Sequence, residues 1–118
     1  MSKPELFREP LPRDTVKRLA DEGFGDMIKF VVDLKRSLIC AGGGLHADAE
    51  TLLIEDGSLQ SDLWGANYYP GMGGEDRWEY KSMINIRPGD GNTQQQIQSP
   101  EIRQQIRTLA ARFLEGSS

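Results

Sequence analysis

The sequence predicts an α+β fold, in which a single layer of antiparallel sheet with about four strands packs one face against three helices, in the order α-β-β-α-β-β-α. Apolar residues recur at helical spacing towards both ends of the chain, and they alternate with polar residues in its middle. A length of 118 residues suits one domain with a core of its own. We assign residues 1–12 to an extended lead-in, 13–115 to the domain and 116–118 to a tail.

The first predicted element is a helix from Arg13 to Glu22. Val16, Leu19 and Ala20 share one face of such a helix, and Gly23 follows as a stop signal. An amphipathic helix with this pattern buries its apolar face against a neighbouring layer.

Residues 27–41 predict a β-hairpin, with arms at Met27–Leu34 and Ser37–Ala41. Alternation is clear in the first arm, where β-branched and aromatic residues dominate. A helix is the alternative, because apolar residues also recur there at helical spacing.

Two more helices are predicted downstream. One covers Ala47–Asp56, with three consecutive apolar residues inside, namely Leu52, Leu53 and Ile54. The other begins at Pro100, because Ser99 is a favourable N-cap and proline suits the first helical position. Its apolar stripe consists of Ile102, Ile106, Leu109 and Phe113.

Between these helices lie two predicted strands. The first, Leu63–Tyr69, is rich in aromatic residues and ends before a proline. The second covers Arg77–Arg87, and its apolar face consists of Trp78, Tyr80, Ile84 and Ile86. Its polar face predicts a sheet surface that is solvated or lines a groove.

Charge is distributed unevenly along the chain. The net charge is −4, and the segment 37–76 holds seven acidic residues but no Lys or Arg. Phosphate contacts need clustered basic residues, so we expect no nucleic-acid partner. The chain has a single Cys and no apolar leader, which predicts a cytoplasmic protein. It also has no apolar segment long enough to span a bilayer, so we expect no membrane contact.

The run His46, Asp48 and Glu50 has the spacing H-x-D-x-E. In an extended segment, all three side chains share one face and suit a divalent metal ion. In a helix, only His46 and Glu50 share a face, and acids at a helix start are favoured by its dipole without any site. We therefore expect no cofactor beyond a divalent ion at this trio.

Other residues are candidates for binding a ligand or a protein. They are Asp56, Asp62, Asn67, Tyr69, Asn85 and Arg87, in addition to the trio above. Exposed aromatic residues mark binding surfaces, which singles out Tyr69. Arg87 either pairs with an acid such as Asp62 or grips an anionic ligand.

Four motifs give the chain a family resemblance: LHADAE, EDGS, DLWG and INIRP, followed by a helix that begins SPEIRQQI. Together they resemble a small prokaryotic protein family known as a domain of unknown function. The similarity extends from about Phe24 to Phe113. It implies a compact prokaryotic cytosolic domain and no particular activity, cofactor or catalytic residue.

These observations favour a non-catalytic binding module with an acidic groove, whose partner is a basic protein surface or a small ligand. The alternative is a small metal-assisted enzyme that uses His46 with Asp48 or Glu50. Nucleophile-based hydrolysis is poorly supported, because one His and no G-x-S-x-G motif leave no triad. A homo-oligomer that buries the aromatic strand is a further hypothesis.

Overall fold

The computed structural model describes residues 2–116, which contain five strands and three α-helices. The strands are β1 (Glu5–Phe7), β2 (Ile28–Asp33), β3 (Leu38–Ala41), β4 (Leu63–Tyr68) and β5 (Trp78–Glu79). The helices are α1 (Arg13–Glu22), α2 (His46–Glu55) and α3 (Pro100–Leu114). All strand pairs are antiparallel and form one sheet in the order β1-β3-β2-β4-β5. The predicted α+β class is confirmed.

The central hairpin of β2 and β3 is present as predicted, and the helical alternative for 27–41 is wrong. Val31 pairs with Cys40, and Asp33 pairs with Leu38 across the turn. Asp33 Oδ1 accepts the backbone N–H groups of Lys35 and Arg36, at 2.9 and 2.8 Å. This local acceptor stabilises the turn and so sets the register of the hairpin.

Helices cover both faces of this sheet. α1 and α3 pack against the face that carries Phe30 and Val32, whereas α2 packs against the face of Val31 and Cys40. The expectation that all helices lie on one face is therefore wrong. Successive residues of a strand point to opposite faces, so the continuous apolar run of β2 needs cover on both sides.

Local signals place α1 and α3 correctly. The bounds of α1 agree with the prediction, and its buried residues are the expected Val16, Leu19 and Ala20. At the start of α3 the Ile102 N–H donates to the Ser99 hydroxyl at 3.2 Å, the hydrogen bond expected of an N-cap.

The apolar run of α2 is only partly buried. Leu53 is fully covered, whereas Leu52 and Ile54 are 37% and 44% exposed, against the prediction that all three lie inside. Consecutive helical residues are separated by about 100°, so three in a row cannot face one sheet. Leu52 and Ile54 instead face solvent.

The predicted strand at 77–87 is wrong except at Trp78 and Glu79. β5 ends at Glu79, and Met83–Asn85 form a 3₁₀ turn. Asn85 replaces a strand partner, because its Oδ1 accepts from Gly65 N–H and its Nδ2 donates to the Gly65 carbonyl, both at 2.9 Å. One buried side chain therefore satisfies both backbone groups at that point of β4.

The segment 1–12, predicted as an extended lead-in, contributes β1 to the sheet. Leu6 pairs with Cys40, so this short strand covers the outer edge of β3. None of the described helices combines the length and the apolar composition needed to cross a membrane.

Candidate functional site

A cavity of about 500 Å³ opens where the start of α2 meets β2, β4 and β5. We call it the His46 pocket; its polar wall consists of Lys29, His46, Asn67, Glu79, Lys81, Ser82 and Gln95. Two candidates from the sequence, His46 and Asn67, therefore line one cavity. They reach it from different elements, α2 and β4.

His46 is the first residue of α2 and is 7% exposed. Its Nε2 lies 2.8 Å from the Ala66 carbonyl oxygen. A carbonyl only accepts, so Nε2 carries the proton, and Nδ1 of the neutral ring is an acceptor. Burial lowers the pKa of His46 to about 4, against the opposing effect of the Ala66 hydrogen bond. The ring is therefore neutral at pH 7.

The close approach of α2 to β4 depends on Gly65. A Cβ atom at this position would lie 3.2 Å from His46 Cδ2 and 2.8 Å from Ser82 Cβ. Both distances are shorter than ordinary carbon contacts, so a side chain here would displace one wall of the pocket.

Asn67 is 5% exposed and faces the α2 side of the sheet. Its Nδ2 donates to Glu79 Oε1 at 2.8 Å, and the Tyr69 hydroxyl donates to the same oxygen at 3.0 Å. Asn67 Oδ1 is buried and accepts no hydrogen bond of ordinary geometry from any residue in the range 2–116, although this side chain is near enough to His46 to act against the lowering of its pKa. The floor of the His46 pocket thus contains an unpaired acceptor beside a carboxylate held by two donors.

Arg87 lies outside the His46 pocket, where its guanidinium group packs against the ring of Trp64. Its Cζ is 4.0 Å from the ring centroid, and its Nη1 donates to the Gln60 carbonyl oxygen at 2.5 Å. The carboxylate of Asp90 is 3.6 Å from Nε, beyond hydrogen-bonding distance. Within the described part of the chain, Nε and Nη2 are buried without a hydrogen-bond partner.

The acids near Arg87 include two predicted candidates. Burial lowers the pKa of Arg87, while the charges of Asp90, Glu50 and Asp62 act in the opposite direction. The expected ion pair with Asp62 does not form, since Asp90 is the carboxylate within 4.0 Å. Glu50 and Asp62 act on Arg87 through their charge and form no ion pair with it.

Asp56 belongs to an ion-pair network that is separate from the His46 pocket and from Arg87. Its two oxygens accept from Arg8 and Arg36, each at 2.7 Å, and these hydrogen bonds hold its pKa below the ordinary value. Arg36 also donates to Ser58, which connects this network to the central hairpin. Two guanidinium groups thus neutralise this candidate acid.

The remaining candidates have no shared site. Asp48 is exposed on the first turn of α2, where the helix directs it away from His46. Asn85 is fully buried and completes the sheet, as described above. Within residues 2–116, no three His, Cys, Asp or Glu side chains are grouped so that they could hold a metal ion. The metal trio stays a prediction with no built coordination sphere.

The aromatic side chains of β4 are largely buried in the core of this chain. Trp64 and Tyr68 are 5% and 6% exposed, and Tyr68 packs on Trp78 with ring centroids 4.7 Å apart. Homo-oligomerisation through these rings therefore stays a prediction that lacks an exposed aromatic face.

Sequence reasoning missed Lys29, Glu79 and Lys81 as site residues. Glu79 reaches Asn67 only because the two residues pair across β4 and β5. Lys29 carried a usable signal, since it is the one basic residue of β2 and stands between the apolar Ile28 and Phe30. A lone Lys within a buried strand must reach solvent or a cavity.

Comparison with known proteins gives one match. No curated protein and no solved structure matches the chain. A family described as Protein of unknown function (DUF5674) matches residues 5–113, a range that runs from the first residue of β1 nearly to the end of α3. The chain therefore belongs to this family.

Proposed function

We propose that this protein is a non-catalytic binding module for a small polar ligand, which occupies the His46 pocket. The observation that carries this proposal is the buried, unpaired Oδ1 of Asn67 in the wall of that cavity. Buried polar atoms in folded proteins nearly always have a hydrogen-bond partner. A ligand that donates to Asn67 would supply it, and 500 Å³ lies within the usual range of ligand cavities.

A larger cleft of about 810 Å³ lies beside α1 and the end of α3. Its wall contains Tyr68, Arg77 and Glu115. Arg77 and Glu115 form an ion pair at 2.5 Å, and the Tyr68 hydroxyl donates to Glu115 at 2.9 Å. These groups satisfy one another, and the buried side-chain atoms without a partner in residues 2–116 lie outside the lining of this cleft, whereas Asn67 Oδ1 lies in the His46 pocket.

Binding is favoured over catalysis by the state of the reactive side chains. His46 uses Nε2 to hold the backbone of β4, and a pKa of about 4 makes it a weak general base at neutral pH. Burial raises the pKa of the Cys40 thiol to about 12, so little thiolate exists to act as a nucleophile.

A small ligand is favoured over a basic protein surface. The His46 pocket contains Lys29 and Lys81 against the single carboxylate of Glu79, so its wall is not acidic. Asp56, the acid expected to attract a basic partner, already contacts two arginines. We therefore propose that the ligand binds in a cavity of mixed charge rather than in an acidic groove.

NMR titration of the ¹⁵N-labelled protein with a mixture of small polar compounds tests this function. We expect shifts concentrated at the backbone amides of His46, Asn67 and Ser82. Ala47→Trp places an indole at an exposed residue of the pocket wall and should abolish these shifts. Leu52→Trp, on the same helix outside the pocket, is the control and should preserve them. Equal shifts in both variants would refute the assignment.

The metal-assisted alternative has its own test. If His46 holds a catalytic divalent ion, Zn²⁺ or Mn²⁺ should raise the melting temperature and EDTA should lower it. His46→Gln should then remove that response, while the glutamine amide can still donate to the Ala66 carbonyl. No response of the wild-type protein to either treatment would leave binding as the only supported function.

A further inference from the structure

Resting on the proposed binding function, we infer that the ligand of the His46 pocket is a zwitterion of the α-amino acid type with an apolar side chain. Three features of the cavity carry this inference: a group of acceptors on its floor, two lysines that are in no ion pair among the described residues, and an apolar rim. Each feature corresponds to one part of such a molecule.

The floor of the pocket needs a ligand that donates hydrogen bonds. Asn67 Oδ1 is unpaired, and Glu79 lies next to it, 2.8 Å from the amide nitrogen of the same residue. The neutral ring of His46 adds an acceptor at Nδ1, because Nε2 is the donor to Ala66. An ammonium group offers three N–H donors and a positive charge that complements Glu79.

The same cavity provides positive charge for a carboxylate. Lys29 pairs with Asn67 across β2 and β4, so its side chain leaves the sheet beside that of Asn67. Lys81 follows on the other side, where its backbone carbonyl lies 3.4 Å from Asn67 Nδ2. Within the described residues, neither ammonium group is in an ion pair, and that of Lys29 lies 5.5 Å from the centroid of the Phe24 ring as a cation–π contact. Two lysines outnumber the single carboxylate of Glu79, so the carboxylate of a zwitterion has a cationic partner here even while its ammonium group contacts Glu79.

The rim of the cavity is apolar and open to solvent. Leu45 and Met83 flank it and are 61% and 69% exposed, the highest values among the large apolar side chains described. Covering such surface removes apolar area from water and is favourable by about 25 cal/mol per Å². An aliphatic or thioether side chain on the ligand would make this contact.

Calorimetric and NMR titrations with L-leucine and three analogues test the ligand class. N-acetyl-L-leucine lacks the ammonium group, L-leucinamide lacks the carboxylate and glycine lacks the side chain. We expect saturable binding of L-leucine with shifts at His46 and Asn67. Each analogue should bind at least about tenfold more weakly, as expected when a charged hydrogen-bonding group or an apolar contact is lost.

A pair of lysine variants gives a matched control. Lys81→Gln should weaken L-leucine binding about threefold or more but should not weaken the binding of L-leucinamide, which has no carboxylate for Lys81 to contact. Lys35→Gln makes the same charge change at an exposed lysine outside the pocket and should change neither.

Three results would overturn the inference. If N-acetyl-L-leucine binds as tightly as L-leucine, or if L-leucine does not bind while another polar compound shifts the pocket amides, the ligand class is wrong and the binding function stands. If no compound of either titration shifts the pocket amides, both proposals fail.

Discussion

Replacing Asn85 with Ala removes the side chain that completes the sheet along β4. Asn85 is fully buried, and its amide exchanges two hydrogen bonds with Gly65 at 2.9 Å and donates a third to the Gln95 carbonyl at 3.1 Å. In Asn85→Ala, the buried N–H and C=O of Gly65 lose their partners. Each buried group left unpaired costs about 1–3 kcal/mol, so we expect the free energy of unfolding to fall by about 4 kcal/mol.

Urea unfolding followed by circular dichroism measures this loss. Gln94→Ala is the control, because this nearby side chain is exposed and its replacement should cost less than about 0.5 kcal/mol. If Asn85→Ala loses less than about 1 kcal/mol at an unchanged m-value, water can satisfy Gly65. The Asn85 side chain would then not replace the hydrogen bonds of a neighbouring strand, as we describe it.

Further predictions concern the pocket and the single thiol. The pKa of His46 falls from 6.5 to about 4 on folding, so between these pH values the unfolded state binds a proton that the folded state does not. The free energy of unfolding should therefore decline by up to about 3 kcal/mol as pH falls from 6.5 to 4. His46→Gln should remove this part of the pH dependence, measured by urea unfolding at each pH. Gly65→Ala should lower the melting temperature and displace Ser82, whereas Gly71→Ala, where no atom lies within 4 Å of the added Cβ, should have little effect on either. Cys40 is fully buried, so its labelling by iodoacetamide at pH 8 should follow global unfolding, and rapid labelling of the native protein would refute its assignment to the core.

Elements fixed by local chemistry were predictable from the sequence. The start of α3 depends on Ser99 and Pro100, which act within one turn of the helix, and structure and prediction agree there. The segment 77–87 has an equally clear alternating pattern, yet it forms only a two-residue strand. Its conformation depends on Asn85 contacting a residue 20 positions away, and no pattern within the segment records that contact.

Charge along the sequence is likewise a poor guide to charge in space. Segment 37–76 predicted an acidic groove because it lacks Lys and Arg, but Arg8 and Arg36 reach Asp56 from 48 and 20 residues away.

The His46 pocket shows the converse effect. The register of three strands places Lys29 beside Asn67 and Asn67 beside Glu79. A cavity with both signs of charge and an unpaired acceptor thus arises from residues that lie in separate segments of the chain. If the proposed binding function holds, strand register rather than any motif determines which ligand fits the pocket, because a shift of one residue in β4 would turn Asn67 to the opposite face.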